Sequence, residues 1–267
     1  MITLHSLQER LSKTGRTGAG WFASWWHVAR MAAIIVVLAL SPSTYRRANR
    51  AVLARYLVLG TLPILPWFAL FSALISVVLI RIVIITATSY SLSHYAMEMM
   101  IRVLVLELIP LTAALFVALR NTVPGGTELV RMQSRGDFQK MQQAGVDPLR
   151  EEVLPRVVAG IFAVLMLASV SCLIAMVLAY VAVYGFSLSA FAGFTRTMGH
   201  VFNPAVALIF AFKTLFFSLA VALIPMSAVF YARPGAGPPV NRELRSLLRL
   251  FATLLAIEIV SLLSNYY

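Results

Sequence analysis

A helix that crosses a bilayer needs about 20 consecutive, mostly apolar residues. Four runs in this chain meet that requirement without argument: Leu57 to Ile80, Val157 to roughly Tyr184, Val201 to Phe230, and Leu250 to the C-terminus. A fifth, Val103 to Leu119, is apolar except for Glu107 and reaches full length by extending outward through Met99 and Met100. The runs are continuous and show no two-residue alternation, so they predict helices and not the strands of an outer-membrane barrel. Composition agrees. The chain is 60% apolar and 12% charged, with a mean hydropathy of +0.87, where soluble domains average roughly 45–50% apolar and about 25% charged. The expectation is an all-α integral membrane protein with five transmembrane helices.

The first apolar run, Trp21 to Leu40, is long enough to span but carries His27 and Arg30 behind a front of Trp21, Trp25 and Trp26. Tryptophan favours the membrane interface. Basic residues also flank the run on both sides, Arg10, Lys13 and Arg16 before it and Arg46, Arg47, Arg50 and Arg55 after it, and a spanning helix would send one cluster outside. Residues 1–56 therefore read as a basic region with an interfacial or re-entrant helix, and residues 57–267 as the membrane domain. A signal peptide is disfavoured because thirty residues precede the Met31 to Leu40 core and arginines crowd the only cleavage point.

With the N-terminus inside, five spans sort the charges. Eight basic residues fall at the N-terminal side, six between Arg120 and Arg156, and four between Arg233 and Arg249, which puts 8 + 6 + 4 = 18 of the 22 in the cytoplasm. The segment Thr86 to Glu98 has no basic residue and Gly185 to His200 has only Arg196, so both are expected outside. Tyr266 and Tyr267 would anchor a periplasmic C-terminus in the outer interface. The net charge of +12 is accounted for by topology and attraction to anionic lipid, and no nucleic-acid partner is expected. No catalytic motif is apparent: the chain has no phosphate-binding glycine loop, metal-ligand pair or nucleophile elbow, and its four histidines are scattered. It should hydrolyse nothing and need no cofactor or metal of its own. Cys172, the single cysteine, lies mid-span and reads as a packing residue.

One polar island interrupts the apolar chain, Glu128 to Arg156, reading ELVRMQSRGDFQKMQQAGVDPLREEVLPR. Phe138 to Ala144 suits a short helix, and Gly145 its left-handed C-terminal cap. Asp147 and Pro148 form an N-cap and first-turn proline pair, and Glu151 and Glu152 then favour the next helix dipole. The pattern predicts helix, sharp turn, helix between spans 2 and 3; an ordinary solvated loop is the competing reading.

AGVDPLREEVLPRVVAG resembles the signature of the MlaE-type permeases, the membrane subunits of lipid-transporting ABC systems. Gly145, Asp147, Pro148, Leu149, Pro155 and Arg156 make the match specific. Leu106 to Pro110 followed by LTAALFVALR, AFKTLFF around Lys213, and Asn241 to Ser264 with Glu258 extend it from about Arg55 to the C-terminus. The chain departs from the pattern at Leu106, where the family usually has Arg, at Ile109, where it has Gly, at Arg81, where it often has Gln, and at Asn121 to Gly126, which replaces a Gly-Arg-Ala-Gly-like turn. These departures mark a divergent subfamily.

The resemblance implies a homodimer in the bacterial inner membrane, a cytoplasmic ABC ATPase that holds ATP and Mg, a periplasmic MCE-domain carrier, and a phospholipid or related amphiphile as cargo. It makes the island a coupling helix, with Phe138, Met141 and Leu149 as apolar contacts to the ATPase. Glu128, Arg135, Asp137, Lys140 and Arg150 would orient it, and Gly145, Asp147 and Pro148 would form its corner.

Ionisable side chains within spans are costly and mark pathways by default. The candidates are Arg81, Glu107, Lys213 and Glu258. Lys213 is the only Asp, Glu, Lys or Arg between Arg196 and Arg233, so it cannot easily snorkel. It would pair with Glu107 or Glu258 in a structural ion pair, or meet a lipid phosphate. Arg81 lies nearer the outer end of its helix and can snorkel, and Glu98 and Arg102 are spaced for a surface pair. Two other classes stay open from the residues: a non-transporting scaffold, and a secondary transporter whose Glu107, Lys213 and Glu258 carry protons.

Overall fold

The computed structural model describes residues 25–39, 41, 47–90, 100–202, 204–228 and 239–266. Among these there are helices and short turns and no strand. Five helical stretches are long and apolar enough to cross a membrane: Ala51–Ser89, Arg102–Ser134, Leu149–Tyr184, Pro204–Met226 and Leu244–Ser264, here spans 1 to 5. The N-terminal apolar helix α1, Trp25–Ala39, is shorter. Its described residues run about 22 Å at 1.5 Å per residue, against about 30 Å of hydrocarbon; residues 21–24 and 40 of the expected run lie outside those described. The expected Glu98–Arg102 pair and the Tyr267 anchor involve residues outside those described.

Spans 1, 2 and 3 differ from expectation in their extent, span 1 running Ala51–Ser89 where Leu57 to Ile80 was expected. Span 2 gains most of its length at the island end, as residues 123–134 form α5 (Val123–Ser134) in continuity with it. Asn121 to Gly126, read as taking the place of a turn, is therefore helical. Span 3 starts within the island at Leu149. Only residues 135–148 connect the two.

Three of the spans are broken beside prolines, and the breaks in spans 2 and 3 follow one rule. In span 1, α2 (Arg47–Thr61) and α3 (Leu65–Ser89) are separated by a turn at 62–64, beside Pro63 and Pro66. In spans 2 and 3, π-helical segments Arg102–Leu108, Ala118–Thr122 and Leu149–Val153 each end two residues before a proline, Pro110, Pro124 and Pro155. The residue before each proline donates to a carbonyl five positions back: Ile109 to Leu104, Val123 to Ala118, and Leu154 to Leu149. Proline has no N–H and its ring crowds the carbonyl four residues earlier, so the helix widens by one residue there. It then resumes as α4 (Ile109–Val117), α5 and α7 (Leu154–Tyr184).

Span 3 is the centre of the bundle; its α7 packs on α2, α3, α4 and the helix of span 4, α9 (Pro204–Met226). Its inward face is built of small residues, with Ala159, Gly160, Ala163, Ala168, Ser171, Ala175 and Ala179 all buried. In lipid there is little hydrophobic drive between helices, so close backbone approach through small residues supplies the packing. The tightest crossings lie near the island end. A Cβ on Gly126 would stand 2.6 Å from the Pro225 carbonyl oxygen, and one on Gly160 would stand 2.8 Å from the Thr122 Cγ2.

At that end α1 seats Met31 and Ile35, both buried, among Leu129, Val153, Leu154, Val157, Ala222, Leu223 and Met226. It thus ties together spans 2, 3 and 4. At the opposite end the expected loop between spans 3 and 4 contains a further helix, α8 (Phe191–Val201). Its buried Phe194 meets the rings of Tyr180 at 5.1 Å and Tyr184 at 6.4 Å. The last helix, α10 (Pro239–Tyr266), carries span 5 and packs on α9.

Gly126→Ala places a methyl against backbone that has no rotamer to yield. It should cost about 1–3 kcal/mol and lower the thermal unfolding midpoint of the detergent-solubilised protein; an unchanged midpoint would contradict this crossing.

Candidate functional site

Lys213 lies mid-way along α9 and is 3% exposed. A lone ammonium at that depth would pay several kcal/mol of desolvation, and three other groups meet it. Its Nζ donates to the Leu106 backbone oxygen at 3.0 Å and to Glu107 Oε2, and lies 3.0 Å from Glu258 Oε2. Nζ also stands 5.9 Å from the centroid of the buried Phe217 ring. Both carboxylates are largely shielded, their side chains 12% and 13% exposed. The pair with Glu107 is a directed hydrogen bond, whereas Glu258 Oε2 is held by charge without hydrogen-bond geometry. Spans 2, 4 and 5 therefore converge on one cation.

The Leu106 carbonyl is available because of Pro110. In an α-helix that oxygen would accept the N–H four residues later, and residue 110 has none. The break that widens span 2 thus frees an acceptor beside Glu107 and turns it on Lys213. Sequence reasoning named the three charges but not this carbonyl, whose signal was the four-residue spacing from Leu106 to Pro110.

A groove of ≈ 660 Å³ opens between α9 and α10 with Lys213 in its lining. Phe212, Phe216, Ile257 and Val260 make its walls apolar, and Ser261 and Ser264 are its other polar side chains. The rings of Phe212 and Phe216 are stacked, 6.4 Å apart. Chemically, this is an apolar trough with a single cation, already neutralised by carboxylates, in its wall.

The polar corner forms a second site. Helix α6 (Asp137–Gln143) lies between two left-handed glycines, Gly136 and Gly145, both at φ 77°. Gly145 closes the helix with a paired cap: its N–H donates to Gln142 O at 3.0 Å, and Val146 N–H donates to Met141 O at 2.9 Å. Asp147 starts the next turn, its Oδ1 accepting from Leu149 N–H at 3.0 Å and its backbone oxygen from Arg150 and Glu151 at 3.1 Å. Helix, corner and helix follow the capping pattern of the sequence.

The exposed charges on the corner pair locally, Lys140 with Asp137 at 3.1 Å and Arg131 with Glu128 at 3.9 Å. Arg135 is exposed at the end of α5, and Arg150 Nε is buried with no hydrogen bond. Phe138 and Leu149 rest partly on the cluster that holds α1, so their rings and methyls serve this chain's own packing. Met141 is half-buried and Pro148 is buried. Arg81 stands apart from both sites, exposed on α3 eight residues before Ser89 and without an ion pair among the described residues.

One cluster was not anticipated. Tyr56 on α2 donates from its hydroxyl to Glu152 Oε2 at 3.2 Å, and Arg156 pairs with the same carboxylate at 2.6 Å. The Arg156 guanidinium also covers the Tyr56 ring at 5.4 Å. Tyr56 and Glu152 are 96 residues apart, and no local spacing signals such a contact.

Removing one member of a buried ion cluster leaves its partners uncompensated, whereas removing all of them is often neutral. Lys213→Met should destabilise the protein by about 3–5 kcal/mol, and adding Glu107→Gln and Glu258→Gln should recover most of the loss. Thermal melts of the single and triple variants in detergent check this; equal melts would show that the cluster is not one electrostatic unit.

A comparison with curated proteins returns no match to the chain. A scan against family models does match: the model described as Permease MlaE covers residues 53–263, from α2 through spans 1 to 5. That region contains the buried cluster, the groove and the polar corner, and on this match the chain belongs to the MlaE permease family.

Proposed function

We propose that this chain is the permease subunit of an ABC transporter that moves a phospholipid or related amphiphile between the inner membrane and a periplasmic MCE-domain carrier. It would act as a homodimer with two copies of a separate ATPase, which bind ATP and Mg and carry out the hydrolysis. Membership of the permease family over residues 53–263 carries this reading. The bilayer orientation follows from the basic residues, with the N-terminus and polar corner in the cytoplasm and the C-terminus in the periplasm. The N-terminal region, bounded at residue 56 from the sequence, then forms the interfacial part up to the start of span 1 at Ala51, and the permease domain follows it.

In this reading α6 is the lever. A short helix held between two left-handed glycines keeps its direction relative to both neighbours, so a push on α6 is delivered to spans 2 and 3 instead of being lost in a loop. Asp137 and Lys140 present charge on its exposed side, with Met141 on the same helix and Glu128 on the neighbouring α5. At the other end of the stroke, the apolar groove of ≈ 660 Å³ has Lys213 in its wall. Lys213, with Glu107 and Glu258 paired behind it, would meet the polar part of the amphiphile, and Arg81 would meet lipid at the outer interface.

Co-purification with the ATPase should be lost on Gly145→Pro or on reversing the charges of Lys140 and Arg150; intact binding in both would remove α6 from the coupling role. Transfer of a fluorescent phospholipid from proteoliposomes should require ATP. Transfer that follows a proton gradient and ignores ATP would instead favour a secondary transporter.

A further inference from the structure

Span 1 is not one rod. Its lower part, α2, is separated from α3 by the turn at 62–64, where Ile64 N–H donates to Thr61 O at 3.2 Å in place of Gly60 O. The released Gly60 oxygen accepts instead from Asn121 Nδ2 of span 2 at 3.4 Å. Pro63 and Pro66 have no N–H with which to close the break. The helix can therefore bend at this point at little cost in backbone hydrogen bonds.

Below the break, α2 packs on α7 and exposes Val52, Val58 and Leu59 on its other side. Besides the Gly60–Asn121 bond at the break, α2 is attached through Tyr56, held by Glu152 and Arg156. Glu152 lies in the π-helical segment Leu149–Val153, which begins two residues after Asp147 in the corner. The Arg156 and Glu152 side chains are 16% and 23% exposed, so this pair is shielded from the solvent screening that makes open surface pairs weak. Arg156 additionally donates to the Glu152 backbone oxygen at 3.1 Å, which fixes the guanidinium over the ring.

We infer that Tyr56, Glu152 and Arg156 are positioning residues that fasten α2 to the start of span 3, so that α2 moves with the polar corner about the break at 62–64 while α3 stays with the bundle. The corner then has two outputs, span 3 directly and the lower part of span 1 through this clasp. The inference rests on the ATPase-coupled reading above.

The test uses the permease reconstituted with its ATPase in vesicles of phosphatidylethanolamine and phosphatidylglycerol. Tyr56→Phe keeps the ring and removes the hydroxyl, and Glu152→Gln keeps the shape and removes the charge. Both should retain ATPase co-purification and hydrolysis, while fluorescent phospholipid transferred per ATP falls about three- to tenfold. A purely structural role would lower all three together. Spin labels at Val52 and Leu74, on either side of the break in a Cys172→Ser background, should show an ATP-dependent distance change in the parent that both variants lose. Undiminished transfer per ATP, or a distance change that persists in the variants, would overturn the inference. A parent chain that captures no ATPase would overturn the functional reading and this inference with it, and would be evident before any variant is made.

Discussion

The buried ammonium of Lys213 is the constraint around which the membrane part of this protein is organised. A charge at that depth is tolerated only with partners in place, and those partners come from two other spans, Leu106 and Glu107 from the second and Glu258 from the fifth. The interaction fixes relative depth as well as contact. Apolar helices in lipid have little to resist axial slippage, because sliding one leucine past another changes almost nothing. Sliding Lys213 away from two carboxylates exposes three uncompensated charges to hydrocarbon. The cluster therefore sets the register of spans 2, 4 and 5, and small residues on span 3 close the packing around it.

Prolines supply the rest of the polar architecture. Each one deletes an N–H from a helix that has no water to replace it, and the structure answers locally, with a π-helical turn before Pro110, Pro124 and Pro155 and a full break beside Pro63. In hydrocarbon an orphaned carbonyl is expensive, and two freed carbonyls are both used: Leu106 O, whose donor Pro110 removes, by Lys213, and Gly60 O, released when Ile64 N–H turns to Thr61, by Asn121. Helix defects and long-range polar contacts are here the same features.

Much of this was legible in the residues because it is local. Apolar run length gave the five spans, and Gly145, Asp147 and Pro148 encoded the corner through caps that each reach only two to five residues. Lys213 was identifiable as buried because no other charge lies near it in sequence. What escaped was either long-range or dependent on register. Nothing in the sequence tells that one lysine will meet both acids and not one, or that Tyr56 will reach Glu152. Span 2 was read as ending near Leu119 because Arg120, Asn121, Pro124 and two glycines look like a loop, yet Gly126 is there to let two helices touch and Pro124 sits at the start of α5. Amphipathic α8 was hidden for a similar reason, its glycines and threonines resembling a connector.

The backbone contact at Gly126 has a mechanical consequence. With the Pro225 carbonyl seated where a side chain would be, spans 2 and 4 can neither approach nor ride over one another there, and the crossing behaves as a fulcrum. Glu107 lies nineteen residues along span 2 on one side of it and Ser134 eight residues on the other, arms of about 28 Å and about 12 Å at 1.5 Å per residue. A tilt of span 2 that shifts the polar end by a small amount is thus magnified more than twofold at the charge cluster. Were span 2 to turn about that contact, it would do so as an unequal-armed balance, its short arm at the polar corner and its long arm at Glu107.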